Sequence, residues 1–175
     1  MVVMSIMKFI VAVAVMLSLS ASLEASGTAE DLIKQIEGFR HGVYTDQSGR
    51  QAIGYGFVSA DMVSKGWITE GEASAELRRI CRRISVKLRE ELSGCKPLTA
   101  QEEAALVSFI YNVGWSNFRT SAMLRKLKAG RRGLSVADEF SRWVYVTRDG
   151  RKMKSRGLSV RRDIERGLFL GVRKK

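Results

Sequence analysis

Proline, histidine and cysteine are nearly missing from this chain of 175 residues: Pro97 and His41 each stand alone, and Cys81 and Cys95 are the only pair of thiols. A single proline suits a helix-rich protein with few extended turns. His41 has no Cys or acidic neighbour at ligand spacing, so it is no metal site. No P-loop, dinucleotide fingerprint, Cys/His metal cluster or internal repeat appears. The chemistry to be expected therefore needs neither a metal nor a cofactor.

What is present is enough apolar residue for a core and a large excess of positive charge. At 45% hydrophobic residues, the chain carries no disorder signature, and its length suits one domain or two closely joined lobes. A net charge of +12 with a pI near 10.2 speaks to partners rather than to fold. The partner should be polyanionic.

Residues 1–26 read as a secretory leader. Lys8 precedes the apolar run from Phe9 to Leu19, and small residues follow at Ser20-Ala-Ser and Ala25-Ser-Gly27. The run of about 11 residues is short for a span that needs about 20. A buried N-terminal helix or a weakly anchoring segment over residues 9–23 are the other readings of the same stretch. Losing residues 1–26 would remove Lys8 and Glu24 and leave the charge at +12.

Helix signals then recur along the chain. Thr28-Ala-Glu-Asp opens a helix whose Leu32, Ile33 and Ile36 share one face and which ends at Gly38. Thr69-x-x-Glu72 is a capping box ahead of Ala73, Leu77, Ile80, Ile84, Leu88 and Leu92, which predicts one long helix. Its other face carries Arg78, Arg79, Arg82, Arg83, Lys87 and Arg89; a solvated face is the favoured reading over a nucleic-acid surface. Cys81 lies beside the stripe and Cys95 beyond the helix end. About 16 Å of helix separates Cys81 from Leu92, a span that three residues barely fold back across, which weighs against a disulfide. A second box, Thr99-x-x-Glu102, opens a helix whose Leu106, Phe109, Ile110 and Val113 face a core. Between the first two helices, Val43–Val58 reads as a small antiparallel sheet turning at Gln47-Ser-Gly-Arg50. Gly54 and Gly56 in its second strand mark either a bulge or the close approach of a ligand or backbone. Phe140, Trp143 and Tyr145, at helical spacing, read as core aromatics rather than as a sugar-stacking surface.

Glu37 and Asp46 stand nine positions apart around this hairpin, one at a helix end and one at the turn end of a strand. Two carboxylates that face one cleft without touching meet the requirement of glycoside hydrolysis: one donates a proton to the leaving oxygen, while the other activates water or supports positive charge on the sugar. The C-terminal end of a helix disfavours an anion, as a proton donor needs, whereas Arg40 nearby favours one.

The residues Glu37-Gly-Phe-Arg40, Tyr44-x-Asp46 and Ile53-Gly-Tyr-Gly56 resemble the catalytic segment of the phage-type lysozymes, the endolysin family of muramidases. Leu98-Thr99, Ala105–Gly114, Leu124–Gly130, Asp138–Trp143 and Gly157–Arg166 resemble later segments of the same family in the same order. The resemblance runs from about Ala29 to Phe169. It implies that Glu37 is the acid and Asp46 the second carboxylate, with Arg40, Ala52, Tyr55, Phe57 and one of Arg161 or Arg162, that one reaching Glu37 across the cleft, at binding or positioning places. Two positions depart from the family pattern. Ala52 stands where a Thr usually helps hold the attacking water, and Phe57 stands where a His usually follows.

The expected fold is α+β, mainly α, with two lysozyme-like lobes: a small β-hairpin lobe over about 29–68, a linking helix over about 70–92, and a helical lobe over about 93–170, together forming residues 27–175. The expected function is a peptidoglycan muramidase that cleaves the β-1,4 bond between N-acetylmuramic acid and N-acetylglucosamine. A lytic transglycosylase-like outcome, and a non-catalytic cationic wall-binding protein on the same fold, are the alternatives that Ala52 and Phe57 raise. The expected partners are peptidoglycan and anionic cell-wall polymers, with no specific nucleic acid, transient membrane association through residues 9–23, and a monomeric, exported protein.

Overall fold

The computed structural model describes residues 28–46, 49–148 and 150–172, so the leader predicted over residues 1–26 lies outside the described residues. Helix α1 spans Ala29–Glu37; the Thr28 hydroxyl accepts from the Asp31 amide at 3.3 Å, satisfying one of the free N–H groups of the first turn. The helix buries Leu32 and Ile33, and Glu37 is its last residue. Strands β1 (Arg40–Thr45) and β2 (Gln51–Gly54) follow as an antiparallel hairpin in which Tyr44 pairs with Ala52 and Arg40 with Gly54.

This hairpin begins earlier and ends sooner than the sheet expected over Val43–Val58. Gly54 and Gly56 have φ of +65° and +92°, which stops β2 and folds Ile53 back onto Phe57 through paired backbone bonds of 3.0 and 2.9 Å. The two glycines answer the open question about the strand differently. A Cβ at Gly54 would lie 2.7 Å from the Phe57 ring, so Gly54 makes room for a core side chain. A Cβ at Gly56 would lie 3.6 Å from Glu37 Oε2, an ordinary contact, so at Gly56 it is the positive φ beside the carboxylate that calls for glycine.

After the short helix α2 (Ala60–Val63), helix α3 runs over Glu70–Glu91 from the Thr69/Glu72 capping box. Helix α4 (Ala100–Val113) starts from the Thr99/Glu102 box and ends at Gly114, whose φ is +85°. Two apolar cores hang on these two helices. The small-lobe core gathers Ile33, Ile53, Tyr55, Phe57, Met62 and Ile68 against Ala73, Leu77 and Cys81 of α3 and Val107 of α4. The helical-lobe core gathers Leu88 of α3, Leu92 at its C-cap and most of the buried face of α4 with residues from the rest of the chain. Ile84 of α3 packs against both. The fold is thus mainly α with two lobes, as expected, and α3 is the shared wall.

The helical lobe is completed by α5 (Trp115–Arg119), α6 (Ala122–Lys128), α7 (Leu134–Ala137), a 3-10 turn at Phe140–Arg142, the hairpin β3 (Tyr145–Arg148) with β4 (Arg151–Lys154), and α8 (Arg156–Phe169). This second hairpin corrects the helical reading of Phe140, Trp143 and Tyr145. Phe140 is core, with its ring edge-on to Phe109 at 5.2 Å, and Trp143 is partly buried against Phe109 at 5.5 Å. Tyr145, on a strand instead, is 49% exposed. Among the described residues no helix is long and apolar enough to cross a membrane. The basic face of α3 is exposed, with Arg78, Arg79 and Arg89 paired to Glu30, Glu76 and Glu103.

Cys81 and Cys95 are both free thiols, so no disulfide joins them. Burial, helped by the charge of Glu30, pushes the Cys81 thiol up to about 12, which leaves almost no thiolate at neutral pH. A thiol reagent at pH 7.5 should therefore label Cys95 in the native protein and Cys81 only after unfolding; rapid labelling of two thiols per native chain would contradict the packing of α3. Gly54→Ala should cost about 1–3 kcal/mol in urea unfolding, from positive φ and the Phe57 clash combined. Gly42→Ala, where a methyl meets nothing within 4 Å, should shift it by less than about 0.5 kcal/mol.

Candidate active site

Glu37 leaves the end of α1 with its side chain 25% exposed, and its partner comes from the far end of the chain. Arg161 of α8, itself only 3% exposed, donates through Nη1 to Glu37 Oε1. Sequence reasoning narrowed this partner to Arg161 or Arg162; packing assigns it to Arg161. Arg162 instead donates through Nε to the Trp143 carbonyl at 3.1 Å and through Nη2 to Asn112 Oδ1, with its guanidinium 4.8 Å from the Phe109 ring centre.

Behind Arg161 lies a second carboxylate that sequence reasoning missed. Glu165 is 0% exposed; it accepts from Arg161 Nε at 2.9 Å, from Ser108 Oγ at 2.8 Å and from Arg162 Nη1. Arg161 Nη2 also donates to the Ser108 carbonyl at 3.1 Å. Buried charges are tolerable only when paired and hydrogen-bonded, and here two guanidiniums and one carboxylate meet that condition with Glu37 as the fourth member. A Glu at i+3 and i+4 from consecutive arginines was the available signal.

Asp46 sits at the end of β1 and closes the hairpin turn. Its amide donates to the Arg50 carbonyl at 2.8 Å, Oδ1 accepts from the Arg50 amide at 2.9 Å, and Oδ2 accepts from Arg50 Nη2 at 3.2 Å. The side chain is 23% exposed, so it remains open to a ligand. Tyr44, two residues earlier, lies under the influence of both acids. Burial first, then the charge of Glu37, and, more weakly, that of Asp46 raise its hydroxyl above the usual tyrosine range, while Arg40 pulls the other way. Tyr111 of α4 is raised further, by burial and then by Glu37, and donates to the Tyr55 carbonyl at 2.8 Å. Tyr44 and Tyr111 both stood within segments that resemble the family, yet neither was singled out as a site residue.

The other expected site residues take different places. Arg40 lies 4.5 Å over the Tyr44 ring, so it acts on the site through Tyr44, while the cation paired with Glu37 is Arg161. Ala52 is 1% exposed and directly opposite Tyr44, which puts its methyl on Tyr44's face of the hairpin. Tyr55 and Phe57, 2% and 4% exposed, are core residues: the Tyr55 hydroxyl donates to Glu70 at 3.0 Å and Phe57 fills the space over Gly54. Buried rings cannot offer a face to substrate, so these two can only position the hairpin. His41 is tied to the Ile68 carbonyl at 3.2 Å and stacks on the exposed Trp67. Among the described residues no group of three or more His, Cys, Asp or Glu is placed to hold a metal ion.

A cavity of about 670 Å³ opens in the helical lobe, lined among others by Asn112, Ser121, Trp143, Tyr145 and Arg162. Through Arg162 and Asn112 it adjoins the buried charges. Loss of Arg161 would leave Glu37 and Glu165 short of a cation inside the fold. Arg161→Met should thus destabilise the protein by about 3–5 kcal/mol in urea unfolding, whereas Arg89→Met, at an exposed pair, should change it little.

Comparison with known proteins agrees with this fold. The family described as Phage lysozyme matches residues 34–165. An endolysin of Acyrthosiphon pisum secondary endosymbiont phage 1 is 33% identical over 138 residues, which covers 79% of this chain and 92% of that relative. A SAR-endolysin of Bacteriophage PS119 is 35% identical over 140 residues, 77% of each chain. Among solved structures, an endolysin from Escherichia coli O157:H7 phage FAHEc1 superposes with a TM-score of 0.71 at 30% identity, over 84% of this chain and 94% of the other. The muramidase domain of SpmX from Asticaccaulis excentricus gives 0.69 at 32%, over 81% and 94%. The match spans both carboxylates and the arginine that faces the first of them, and on it the chain belongs to the phage lysozyme family.

Proposed function

We propose that this protein cleaves the β-1,4 bond between N-acetylmuramic acid and N-acetylglucosamine, with Glu37 giving a proton to the leaving oxygen and Asp46 acting on water or on the oxocarbenium-like sugar. As a phage lysozyme, the chain is a glycoside hydrolase that attacks peptidoglycan. The observation that carries the residue roles is the placement of Glu37: it is partly open to solvent, at a helix end, with its one buried cation held from behind. Such a carboxyl has a fixed orientation and an approach from one side. Asp46, tied to Arg50 at the turn, is the second acid on the same hairpin.

Ala52 favours a variant of this chemistry. Its methyl occupies the hairpin face beside Tyr44 where a hydroxyl would hold water, so a sugar hydroxyl attacking in place of water needs the same carboxylates and one polar group fewer. We further read residues 27–175 as one lysozyme-like unit, monomeric and exported, that the +12 charge holds on anionic wall polymers. The leader over residues 1–26, and any membrane association through residues 9–23, belong to the part of the chain outside the described residues.

The test is digestion of purified peptidoglycan by the protein and by Glu37→Gln, with released muropeptides identified by mass spectrometry. The wild type should release fragments with reducing muramic ends, and Glu37→Gln should lower the rate by about 10²–10⁴-fold. Anhydro-muramic ends would establish transglycosylation instead. Release of nothing by the wild type, with binding intact, would leave a non-catalytic wall-binding protein.

A further inference from the structure

Glu165 takes no part in the cleft, yet it is the most deeply buried carboxylate in the network around Glu37, at 0% exposure. Its placement divides the work of two adjacent cations. Arg161 bridges Glu37 and Glu165, and Arg162 binds Glu165 but not Glu37. Burial favours neutral guanidinium in both, and each repels the other; with Glu165 and Glu37 beside it, Arg161 is held above the ordinary arginine range, while Arg162 falls below it, through burial first. Glu165 is thus the group that makes two neighbouring buried cations affordable.

We propose that Glu165 is a positioning residue for the reaction: it locks Arg161 in place and offsets the buried positive charge, so that Glu37 meets a fixed and partly compensated guanidinium rather than two bare ones. This rests on the reading of Glu37 as proton donor. A proton donor next to an uncompensated cation loses its proton too readily, and one next to no cation loses its orientation. Sharing Arg161 between two carboxylates avoids both.

The other groups that face Glu37 do not do this. From α4 come the neutral Tyr111 and, through Arg161, Ser108; from β1 comes Tyr44 with Arg40 over its ring; from the turn after β2 comes the backbone at Gly56. On α1 itself Lys34 lies over the Tyr55 ring, 5.7 Å from its centre, and from α3 come Glu70, held by the Tyr55 hydroxyl, and the buried, neutral Cys81. Asp46, the other acid of the hairpin, is paired with Arg50 at the turn, and among the described residues Arg162 and Glu165 are the charges that meet in the buried cluster with Arg161.

The charge balance has opposite consequences for two variants, and the readout is the alkaline limb of the pH–rate profile, where the proton donor ionises. Glu165→Gln removes an anion, which favours ionised Glu37 and should move the limb down by about one pH unit. Arg162→Met removes a cation that does not touch Glu37 and should move the limb up. It also keeps the test decisive where Glu165→Gln folds too poorly to assay. Glu165→Asp, which retains the charge, should keep the limb near its wild-type place. A limb unmoved in both Glu165→Gln and Arg162→Met, or one moved the same way by both, would overturn the proposal and leave the cluster as fold glue. Glu37→Gln, assayed alongside, separates this from the reading beneath it. If that variant keeps full activity, Glu37 is not the acid, whatever the limbs do.

Discussion

The fold is closed by a single shared cation. Arg161 reaches Glu37 across 124 positions of sequence and binds Glu165 one helical turn away on α8. Taking ions out of water is costly, and the penalty is offset only where geometry satisfies nearly every donor and acceptor. Arg161 meets this through two carboxylates and the Ser108 carbonyl. The last helix therefore cannot slide along α4, or α1 turn about its axis, without uncovering a charge. Hydrophobic burial tolerates such sliding far better, because it is not directional.

That constraint explains why two lobes can share one site. Each lobe has its own apolar core, and α3 and α4 contribute to both. Ile84 on α3 touches the two cores at once, while Val107 on α4 belongs to the small lobe and Leu106 beside it to the large one. Adjacent residues on a helix point about 100° apart, so one helix can wall two cores when they lie on different sides of it. The charged cluster lies at this seam, where Ser108 follows Val107 in sequence. Apolar packing sets the distance between the lobes, and the ion pairs set their register.

Much of this was legible in the chain. Thr28, Thr69 and Thr99 mark three helix starts because a capping hydroxyl and a following acid satisfy orphan amides in a way that local sequence dictates. Glu37 at a helix end follows from the first of them together with Gly38. The choice between Arg161 and Arg162 did not follow, since it depends on the rotation of α8 against α4, which residues from distant segments decide. Tyr55 and Phe57 were read as binding or positioning residues from their place in or beside the family motif, and a tight turn at two positive-φ glycines, which folds both rings into the core, was not foreseen. The β3–β4 hairpin was missed behind Phe140, Trp143 and Tyr145, although Asp149-Gly150 is a hairpin signal that could have found it. Glu165 was passed over, despite its spacing from the two arginines, for a better reason. A glutamate on a basic helix reads as exposed, and only burial of both arginines makes it internal.

The chain's charge serves two purposes that physics keeps apart. The exposed arginines and lysines of α3 and of β4 act through solvent, where salt screens them beyond about 8 Å at physiological ionic strength. Their attraction to a polyanion is long-ranged, unspecific and adjustable by salt. The two buried arginines act over contact distances in a region that ions do not enter, and there the count of charges matters more than their excess: two cations against Glu165 and Glu37. One added surface lysine changes the net charge of +12 by little, whereas one lost buried carboxylate changes the local balance by a whole unit. A strongly basic protein can thus keep a carboxylate inside a locally balanced cluster. The excess charge stays outside, and the charge next to the acid is paired.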